Sequence, residues 1–319
     1  MKDIKRKPTR DGAGEALVEL GKNNKNVVVL SADLTDSTRA GWFKKAYPER
    51  FISFGVAEQD MFGTAAGLAL EEKIPFACTF GVFASGRAWD QIRVSIAYMN
   101  LNVKIIGTHG GITVGEDGAT HQALDEVTLM RILPNMKIVV PCDAIEAYKA
   151  TIEAAKTDGP VYIRLGRNPA PILTKENDPF KIGKAFLYRD GKDVTIIASG
   201  HSLYEARKAH EKLASEGISA RVINLHTPKP LDKEAILKCA KETGAFVTIE
   251  EHTVYGGMGS AVSEFISQNN PVPIRMIGIK DSFGESGEPL ELLERFGLTT
   301  ENIIKEVRAA LELKNKNAE

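Results

Sequence analysis

The sequence lacks the features that would place the protein in a membrane, on nucleic acid or outside the cell. No apolar run approaches the roughly 18 residues that a membrane helix needs. Lys and Arg total 41 and Asp and Glu total 42, which gives a formal net charge of -1, so the overall charge does not favour polyanion binding. The basic first ten residues are not followed by an apolar signal segment. We therefore expect a cytoplasmic protein.

Cysteine is scarce as well. The three cysteines, Cys78, Cys142 and Cys239, are far apart and lie in or beside apolar stretches. An odd number at such spacing fits neither a disulfide framework nor a zinc site. We therefore predict reduced thiols buried in the core.

The length and the pattern of the chain predict two α/β domains. A chain of 319 residues exceeds the roughly 250–300 residues at which a single hydrophobic core stops growing. Short β-branched runs alternate with longer segments of helical period, which is typical of parallel βαβ units. The predicted fold class is therefore α/β, with two doubly wound domains.

The predicted strands of the first domain are mostly apolar throughout, as expected for strands covered on both faces. They are Val27–Ala32, Phe51–Gly55, Ile74–Thr79, Val103–Gly107, Lys137–Pro141 and Val161–Leu165. Helices are predicted in the gaps, for example over Glu58–Glu72 and Ala144–Lys156.

The second half repeats this alternation. Strands are predicted over Val194–Ser199, Ser219–Leu225, Ala245–Glu250 and Ile274–Gly278. Helices are predicted over Leu203–Glu216, Asp232–Thr243 and Ser260–Gln268, and two more close the chain. Between the halves, Arg167–Asp193 carries three prolines and no sustained period, which indicates a connection. We predict domains over residues 1–170 and 191–319, joined by a linker over 171–190.

A short glycine loop, Gly256-Gly257-Met258-Gly259, lies between a predicted strand and a predicted helix. A phosphate could bind to a helix N-terminus at such a place. The dinucleotide fingerprint, however, needs a further glycine where this sequence has Val262. We therefore interpret the loop as a tight strand-to-helix turn.

A longer glycine-rich segment, residues 107–122, directly follows a predicted strand and has the sequence GTHGGITVGEDGATHQ. Loops at the carboxyl ends of parallel strands form the ligand crevice of such sheets. The five glycines let the backbone approach a ligand, and His109, Asp117 and His121 supply donors and acceptors. This composition favours a ligand-binding loop over a solvated one.

Three further residues have two interpretations on residue type alone. Glu58 starts a predicted helix, where the helix dipole stabilises a carboxylate that has no further role. Phe80 and Phe83 close the next strand, and they either pack in a core or form an aromatic wall of the crevice. The residues themselves leave both interpretations open.

Taken together, these segments resemble the C-terminal half of the transketolase family of thiamine-diphosphate enzymes. The resemblance extends from Arg10 to Arg167, through SADLT at 31–35, GVAEQ at 55–59 and TFGVF at 79–83. It is most specific at GEDGATHQ, residues 115–122. The resemblance implies a pyrimidine-binding domain followed by a transketolase C-terminal domain.

The resemblance also implies a set of cofactor contacts. Glu58 would hydrogen-bond N1′ of the aminopyrimidine and share a proton with it, which activates the cofactor. Phe80 and Phe83 would form the surface on which this ring stacks, and Asp33 would lie close to the thiazolium ring. A third aromatic of the family pattern is Gly86 here, so this side of the pocket is less filled.

The implied substrate is a phosphorylated sugar. His109 and His121 would contact the sugar and move protons as its carbon–carbon bond breaks. Asp117 would accept a hydrogen bond from the hydroxyl next to the carbonyl. The phosphate would be bound by residues that donate hydrogen bonds to it, namely Arg10, Ser37 and Arg167. The implied reaction is transfer of a two-carbon ketol unit, for example from xylulose 5-phosphate to ribose 5-phosphate in the pentose phosphate pathway.

One part of the family pattern is missing. The family's other half holds the diphosphate and a divalent metal through Gly-Asp-Gly followed by an asparagine, and no Gly-Asp-Gly occurs in this sequence. We therefore expect the C-terminal subunit of a split transketolase. A separate N-terminal subunit would hold the diphosphate with Mg²⁺ or Ca²⁺, and two heterodimers would form a heterotetramer.

Three alternatives share the two-domain layout. The 1-deoxyxylulose-5-phosphate synthases have a similar Asp-Gly-x-Thr-His run but lack a histidine at the place of His109. The β subunits of 2-oxo acid dehydrogenases have a Glu-Gln pair but not the run Glu116–Gln122, and they act on acids. A non-catalytic regulatory chain is disfavoured because Glu58 and the histidines are present.

Overall fold

The computed structural model describes residues 4–316. Its first half contains strands β1 (Arg6–Pro8), β2 (Val27–Ser31), β3 (Phe51–Ser53), β4 (Ile74–Phe80), β5 (Lys104–Thr108), β6 (Lys137–Val139), β7 (Val161–Arg164) and β8 (Pro169–Pro171). The helices of this half are α1 (Thr9–Asn23), α2 (Ala40–Ala46), α3 (Glu58–Leu70), α4 (Trp89–Gln91), α5 (Glu126–Arg131) and α6 (Ala144–Lys156). Phe83–Arg87 and Ile92–Tyr98 are π-helical, and Pro48–Arg50 and Ile112–Asp117 are 3₁₀-helical.

Six strands of this half form one parallel sheet in the order β3-β2-β4-β5-β7-β6. The first four residues of strand β2 are all apolar, and the packing shows why. Val28 and Leu30 belong to one core cluster, whereas Val27 and Val29 belong to another. Since successive side chains alternate between the faces of a strand, helices cover both faces of this sheet.

The second half forms a second sheet with its own core. Its strands are β9 (Phe186–Arg189), β10 (Val194–Ala198), β11 (Ala220–Asn224), β12 (Phe246–Thr253) and β13 (Ile274–Ile279). Its helices are α7 (Ser202–Ser215), α8 (Lys233–Thr243), α9 (Met258–Asn269), α10 (Pro289–Arg295) and α11 (Thr300–Lys316). The strand order is β13-β12-β10-β11-β9, with β9 antiparallel to β11 and the other pairs parallel.

The predicted α/β fold class is confirmed, and the ends of the predicted strands and helices agree with the structure within three residues. Three strands were not predicted. Strands β1 and β8 form an antiparallel pair in which Arg6 lies opposite Pro171, and β9 lies inside the segment predicted as a linker. None of the three contains a β-branched residue, unlike the equally short β3 and β6. The boundaries at residues 170 and 191 stay a prediction.

Two smaller observations concern expectations drawn from the composition. The three cysteines are buried and unpaired, as predicted. Within residues 4–316, no helix has both the length and the apolar character needed to cross a membrane.

Candidate active site

The loops at the carboxyl ends of neighbouring parallel strands form the candidate site. Strands β2, β4, β5 and β7 are adjacent in the first sheet, and most of the predicted site residues lie at or just after their ends. Glu58 follows β3 at the edge of the same sheet, and Arg10 lies in the first turn of α1. The topology therefore gathers residues that are far apart in the sequence, as the switch-point rule for such sheets predicts.

Glu58 is the first residue of α3 and only 1% of its surface is exposed. Its carboxylate accepts hydrogen bonds from Nη1 of Arg87 at 2.8 and 3.0 Å and from the Thr79 hydroxyl at 3.5 Å. The N-terminus of α3 favours negative charge, and Arg87 supplies the opposite charge that a buried carboxylate needs. The sequence pattern did not identify Arg87, because 29 residues separate it from Glu58.

Two phenylalanines and two histidines form an aromatic cluster beside Glu58. The Phe80 and Phe83 rings stack with centroids 5.7 Å apart, and the His109 ring stacks on Phe80 at 3.7 Å. The His121 ring stands edge-on to Phe80 at 6.1 Å and to Phe83 at 5.5 Å. Phe80 is buried and Phe83 is half-buried. Phe80 therefore supports His109, and Phe83 is the phenylalanine of this cluster with an accessible ring.

His109 is fixed by its backbone and by its surroundings. Its φ of 59° lies in the left-handed region, which is uncommon for residues other than glycine, and its Nδ1 lies 3.0 Å from the Thr108 hydroxyl. Burial, followed by the positive charges of Arg10 and Arg167, lowers the pKa of His109 to about 3. The imidazole is therefore neutral near neutral pH, with one N–H to donate and one nitrogen to accept.

The loop between β5 and α5 is held from the second sheet. The backbone N–H of Thr113 donates to Oε1 of Glu251 at 2.6 Å, and Glu251 is buried in β12. Gly111 has a φ of 95°, and a Cβ at this position would collide with the Glu251 carboxylate. Arg164, at the end of β7, donates to the Glu251 carbonyl oxygen at 2.7 Å. The sequence pattern did not identify Glu251, which belongs to the other half of the chain.

Arg167 contacts the same loop. Its Nη1 donates to the Val114 carbonyl oxygen at 2.8 Å and to Oε2 of Glu116 at 3.1 Å. Oδ2 of Asp117 lies 3.5 Å from the same nitrogen. Two carboxylates thus already face the guanidinium that the resemblance assigns to a phosphate, and an incoming anion has to compete with them.

One hydrogen-bond donor of Arg10 has no partner among the described residues. Its Nη1 donates to the Ser37 carbonyl oxygen at 2.8 Å, whereas its Nε is buried and has no hydrogen-bond partner among the described residues. Burial and the charge of Arg39 lower the pKa of Arg10 to about 10. Arg39 is itself held by Asp11, with Nε 2.7 Å from Oδ1. A buried free donor among positive charges fits an anion. Arg39 was not predicted.

Asp33 and Gly86 are both exposed. Asp33 follows β2 and has a φ of 58°. A Cβ at Gly86 would meet no other atom within 4 Å. The position where the family pattern has a third aromatic residue is therefore open here.

The short glycine loop before α9 is not an anion site. The Glu250 carboxylate accepts hydrogen bonds from the backbone N–H groups of Met258 at 2.7 Å and Gly259 at 2.8 Å. The N-terminus of α9 is thus already occupied by a carboxylate of the protein itself. This agrees with the interpretation of the loop as a strand-to-helix turn.

Two family models match the chain. They are "Transketolase, pyrimidine binding domain" over residues 5–171 and "Transketolase, C-terminal domain" over residues 183–303. The chain belongs to the transketolase family. This transketolase chain is 48% identical over 305 residues to the "Putative transketolase C-terminal section" of Methanocaldococcus jannaschii, which covers 94% of the chain and 95% of that protein.

Two further comparisons support the assignment. The transketolase chain is 45% identical over 306 residues to the "6-deoxy-6-sulfo-D-fructose transketolase subunit SqwH" of Clostridium sp. (strain MSTE9), covering 96% of the chain and 95% of that subunit. A solved structure described as "Split gene transketolase, inactive beta4 tetramer" superposes with a TM-score of 0.91 at 48% identity, covering 96% and 99% of the two chains.

Membership in the transketolase family implies dependence on thiamine diphosphate. The buried Glu58 carboxylate, the accessible Phe83 ring and the space at Gly86 fit a planar ring that carries a hydrogen-bond donor. These side chains of the transketolase chain thus fit the pyrimidine end of the cofactor. Within residues 4–316, no three His, Cys, Asp or Glu side chains form a group that could hold a metal ion.

Proposed function

We propose that this chain is the C-terminal subunit of a split transketolase and works with a separate N-terminal subunit. The observation that carries the proposal is the buried Glu58 carboxylate beside the Phe83 ring, at the same sheet edge as His109. Similarity along nearly the whole length of relatives described as a C-terminal section and as a split-gene transketolase supports it. The domains are proposed to cover residues 1–170 and 191–319, with a linker over 171–190.

The roles of the two subunits are proposed from the side chains that can contact each part of the cofactor. Thiamine diphosphate, when bound, supplies the carbon nucleophile that breaks and forms carbon–carbon bonds. Glu58 is proposed to hold the proton shared with N1′, and Phe83, supported by Phe80, to carry the pyrimidine ring. The N-terminal subunit is proposed to hold the diphosphate and Mg²⁺ or Ca²⁺, in a cytoplasmic heterotetramer of two heterodimers. Asp33 is proposed to lie next to the thiazolium ring.

The histidines and Asp117 are proposed to handle the sugar. Because His109 is neutral, it can donate a hydrogen bond to a sugar oxygen without the desolvation cost of a buried charge. His121, half-buried and edge-on to both phenylalanines, is proposed to contact the sugar from the other side. Asp117, an acceptor on the same loop, is proposed to bind the hydroxyl next to the carbonyl.

The far end of the substrate is proposed to carry a tetrahedral anion. Arg10 has a buried Nε without a hydrogen-bond partner among the described residues, and the charges of Arg10 and Arg167 add to the effect of burial in lowering the pKa of His109. With Ser37, these residues are proposed to bind the phosphate of xylulose 5-phosphate and of ribose 5-phosphate. The name of one relative specifies a sulfonated sugar. Since a sulfonate and a phosphate share their shape, the assay below includes both kinds of donor.

The experiment mixes this chain with its N-terminal subunit, thiamine diphosphate and Mg²⁺. Xylulose 5-phosphate with ribose 5-phosphate is expected to give a ketose phosphate longer by two carbons than the aldose acceptor, with 6-deoxy-6-sulfofructose as the second donor. Pyruvate with glyceraldehyde 3-phosphate is the comparison reaction. Release of CO₂ from pyruvate without any ketol transfer would replace the proposal with a 1-deoxyxylulose-5-phosphate synthase or a 2-oxo acid dehydrogenase subunit.

A further inference from the structure

Arg87 makes two contacts that belong together. Its Nη1 donates to both carboxylate oxygens of Glu58, at 2.8 and 3.0 Å, and its guanidinium carbon lies 4.5 Å from the centre of the Phe83 ring. The guanidinium is a planar cation that donates hydrogen bonds and stacks on aromatic faces. One group therefore occupies both the buried carboxylate and the accessible aromatic ring of the candidate site.

These are the two contacts that the proposed function assigns to the aminopyrimidine. That ring is also planar, stacks on an aromatic face and offers a hydrogen bond to Glu58. The two groups cannot hold the same carboxylate oxygens and the same ring face together. Arg87 and the cofactor therefore exclude each other at this place.

The pair has a physical reason in the cofactor-free chain. Glu58 is 1% exposed, and a buried carboxylate without a partner is costly. The Arg87 guanidinium supplies that partner through its two hydrogen bonds to the carboxylate.

The surroundings allow Arg87 to leave. Its side chain is 45% exposed, in contrast to that of Glu58, and Gly86 beside it has no neighbour within 4 Å of a built Cβ. The other polar neighbour that the structure gives for Glu58 is the neutral Thr79 hydroxyl at 3.5 Å. Movement of Arg87 toward solvent therefore breaks one half-exposed ion pair and disrupts no other contact of Glu58.

We infer that Arg87 is a built-in stand-in for the aminopyrimidine, which keeps Glu58 paired until the cofactor displaces it. This rests on the proposed function. It makes Arg87 a determinant of cofactor affinity that acts through Glu58. Binding to the unaltered protein then requires Glu58 to release the guanidinium.

The test titrates thiamine diphosphate, with Mg²⁺, into the reconstituted complex by calorimetry, which gives the dissociation constant. Arg87→Met keeps most of the side-chain volume and removes the charge. The cofactor then has no guanidinium to displace from the Glu58 carboxylate or from the Phe83 ring. We expect about fivefold to tenfold tighter binding.

Three variants serve as controls. Arg87→Lys keeps the charge beside Glu58 but not the planar group on Phe83, so its affinity should lie between those of the unaltered protein and Arg87→Met. Arg87→Gln is a second neutral variant in case Arg87→Met does not fold, and it should also bind more tightly. Arg93→Met removes an exposed arginine that lies over Trp89, away from Glu58, and should not change the affinity.

The outcomes separate this inference from the proposed function. If the unaltered complex binds no thiamine diphosphate, the proposed function is wrong. If the unaltered complex binds it and the neutral Arg87 variants bind with the same or lower affinity, the function stands and the inference about Arg87 is wrong.

Discussion

Oε1 of Glu251 accepts a 2.6 Å hydrogen bond from the backbone N–H of Thr113. This bond joins strand β12 of the second sheet to the loop that carries His109 and Asp117 in the first. Because Gly111 has no side chain, the loop can approach the Glu251 carboxylate closely. The second sheet thus positions the candidate sugar-binding loop through the buried Glu251 side chain.

Glu251→Ala is expected to loosen this loop. A hydrogen bond to a charged group contributes about 1.5–3 kcal/mol, so KM for the sugar phosphate should rise about tenfold or more, with a smaller change in kcat. Steady-state kinetics of the reconstituted complex measures both. Glu264→Ala is the matched control, because Glu264 also pairs across the two halves, with Arg131, but away from this loop. Equal effects of the two substitutions would show that Glu251 has no special role in the loop.

Glu58→Gln is expected to leave the assembly intact and to lower kcat by about 10²–10⁴-fold, because an amide does not share the required proton. Asp60→Asn changes another acidic residue in the first turn of α3 and tests the helix-dipole interpretation. It should have little effect on turnover. If Glu58→Gln keeps more than about a tenth of the unaltered kcat, Glu58 is only a carboxylate that stabilises the start of the helix.

Arg10→Ala is expected to raise KM for phosphorylated donors far more than for hydroxypyruvate, which has no phosphate. Loss of one charge-assisted contact should cost about 1.5–3 kcal/mol. Arg167→Ala should follow the same pattern with a smaller effect, since Glu116 and Asp117 already face its guanidinium. If KM for hydroxypyruvate rises by the same factor, these arginines support the fold rather than the phosphate.

Acid should destabilise the chain through its buried histidines. Burial lowers the folded-state pKa of His109 to about 3 and that of His226 to about 4. A histidine in an unfolded chain has a pKa of about 6.5. Between the folded-state and unfolded-state pKa values, the unfolded state therefore binds more protons than the folded state. The stabilisation that the neutral histidines contribute above about pH 6.5 is lost as the pH falls below it. In thermal unfolding, His109→Asn and His226→Gln should each make Tm less dependent on pH below about 6.5. An unchanged slope in both variants would contradict the buried neutral state.

The sequence predicted those parts of the fold that depend on local pattern. Runs such as Val27–Ser31 are apolar on both faces, and α6 shows a clear amphipathic period, so their positions agree with prediction. Strands β1, β8 and β9 were missed because they contain no β-branched residue, and prolines in β8 indicated a connection instead. The π-helical segments around α4 likewise have no sequence pattern that distinguishes them from an ordinary helix.

The residues of the candidate site also divide into those that the sequence predicted and those that it did not. The motif residues Glu58, Phe83 and His109 were found because each stands in a characteristic run of sequence. Arg87, Arg39 and Glu251 were not, since their importance comes from contacts with residues distant in the chain. The pairing of Arg167 with Glu116 was also unexpected. It depends on how the loop after β5 folds back, which is a property of the packed structure.

The central claim is that two chains complete one cofactor site, and thiamine diphosphate binding tests it most directly. Calorimetric titrations with Mg²⁺ present should be run on this chain alone, on the N-terminal subunit alone and on their mixture. The account predicts tight binding, with one cofactor per pair of chains, in the mixture only. Equally tight binding by this chain alone would contradict it, because the described residues would then have to hold the diphosphate and its metal as well.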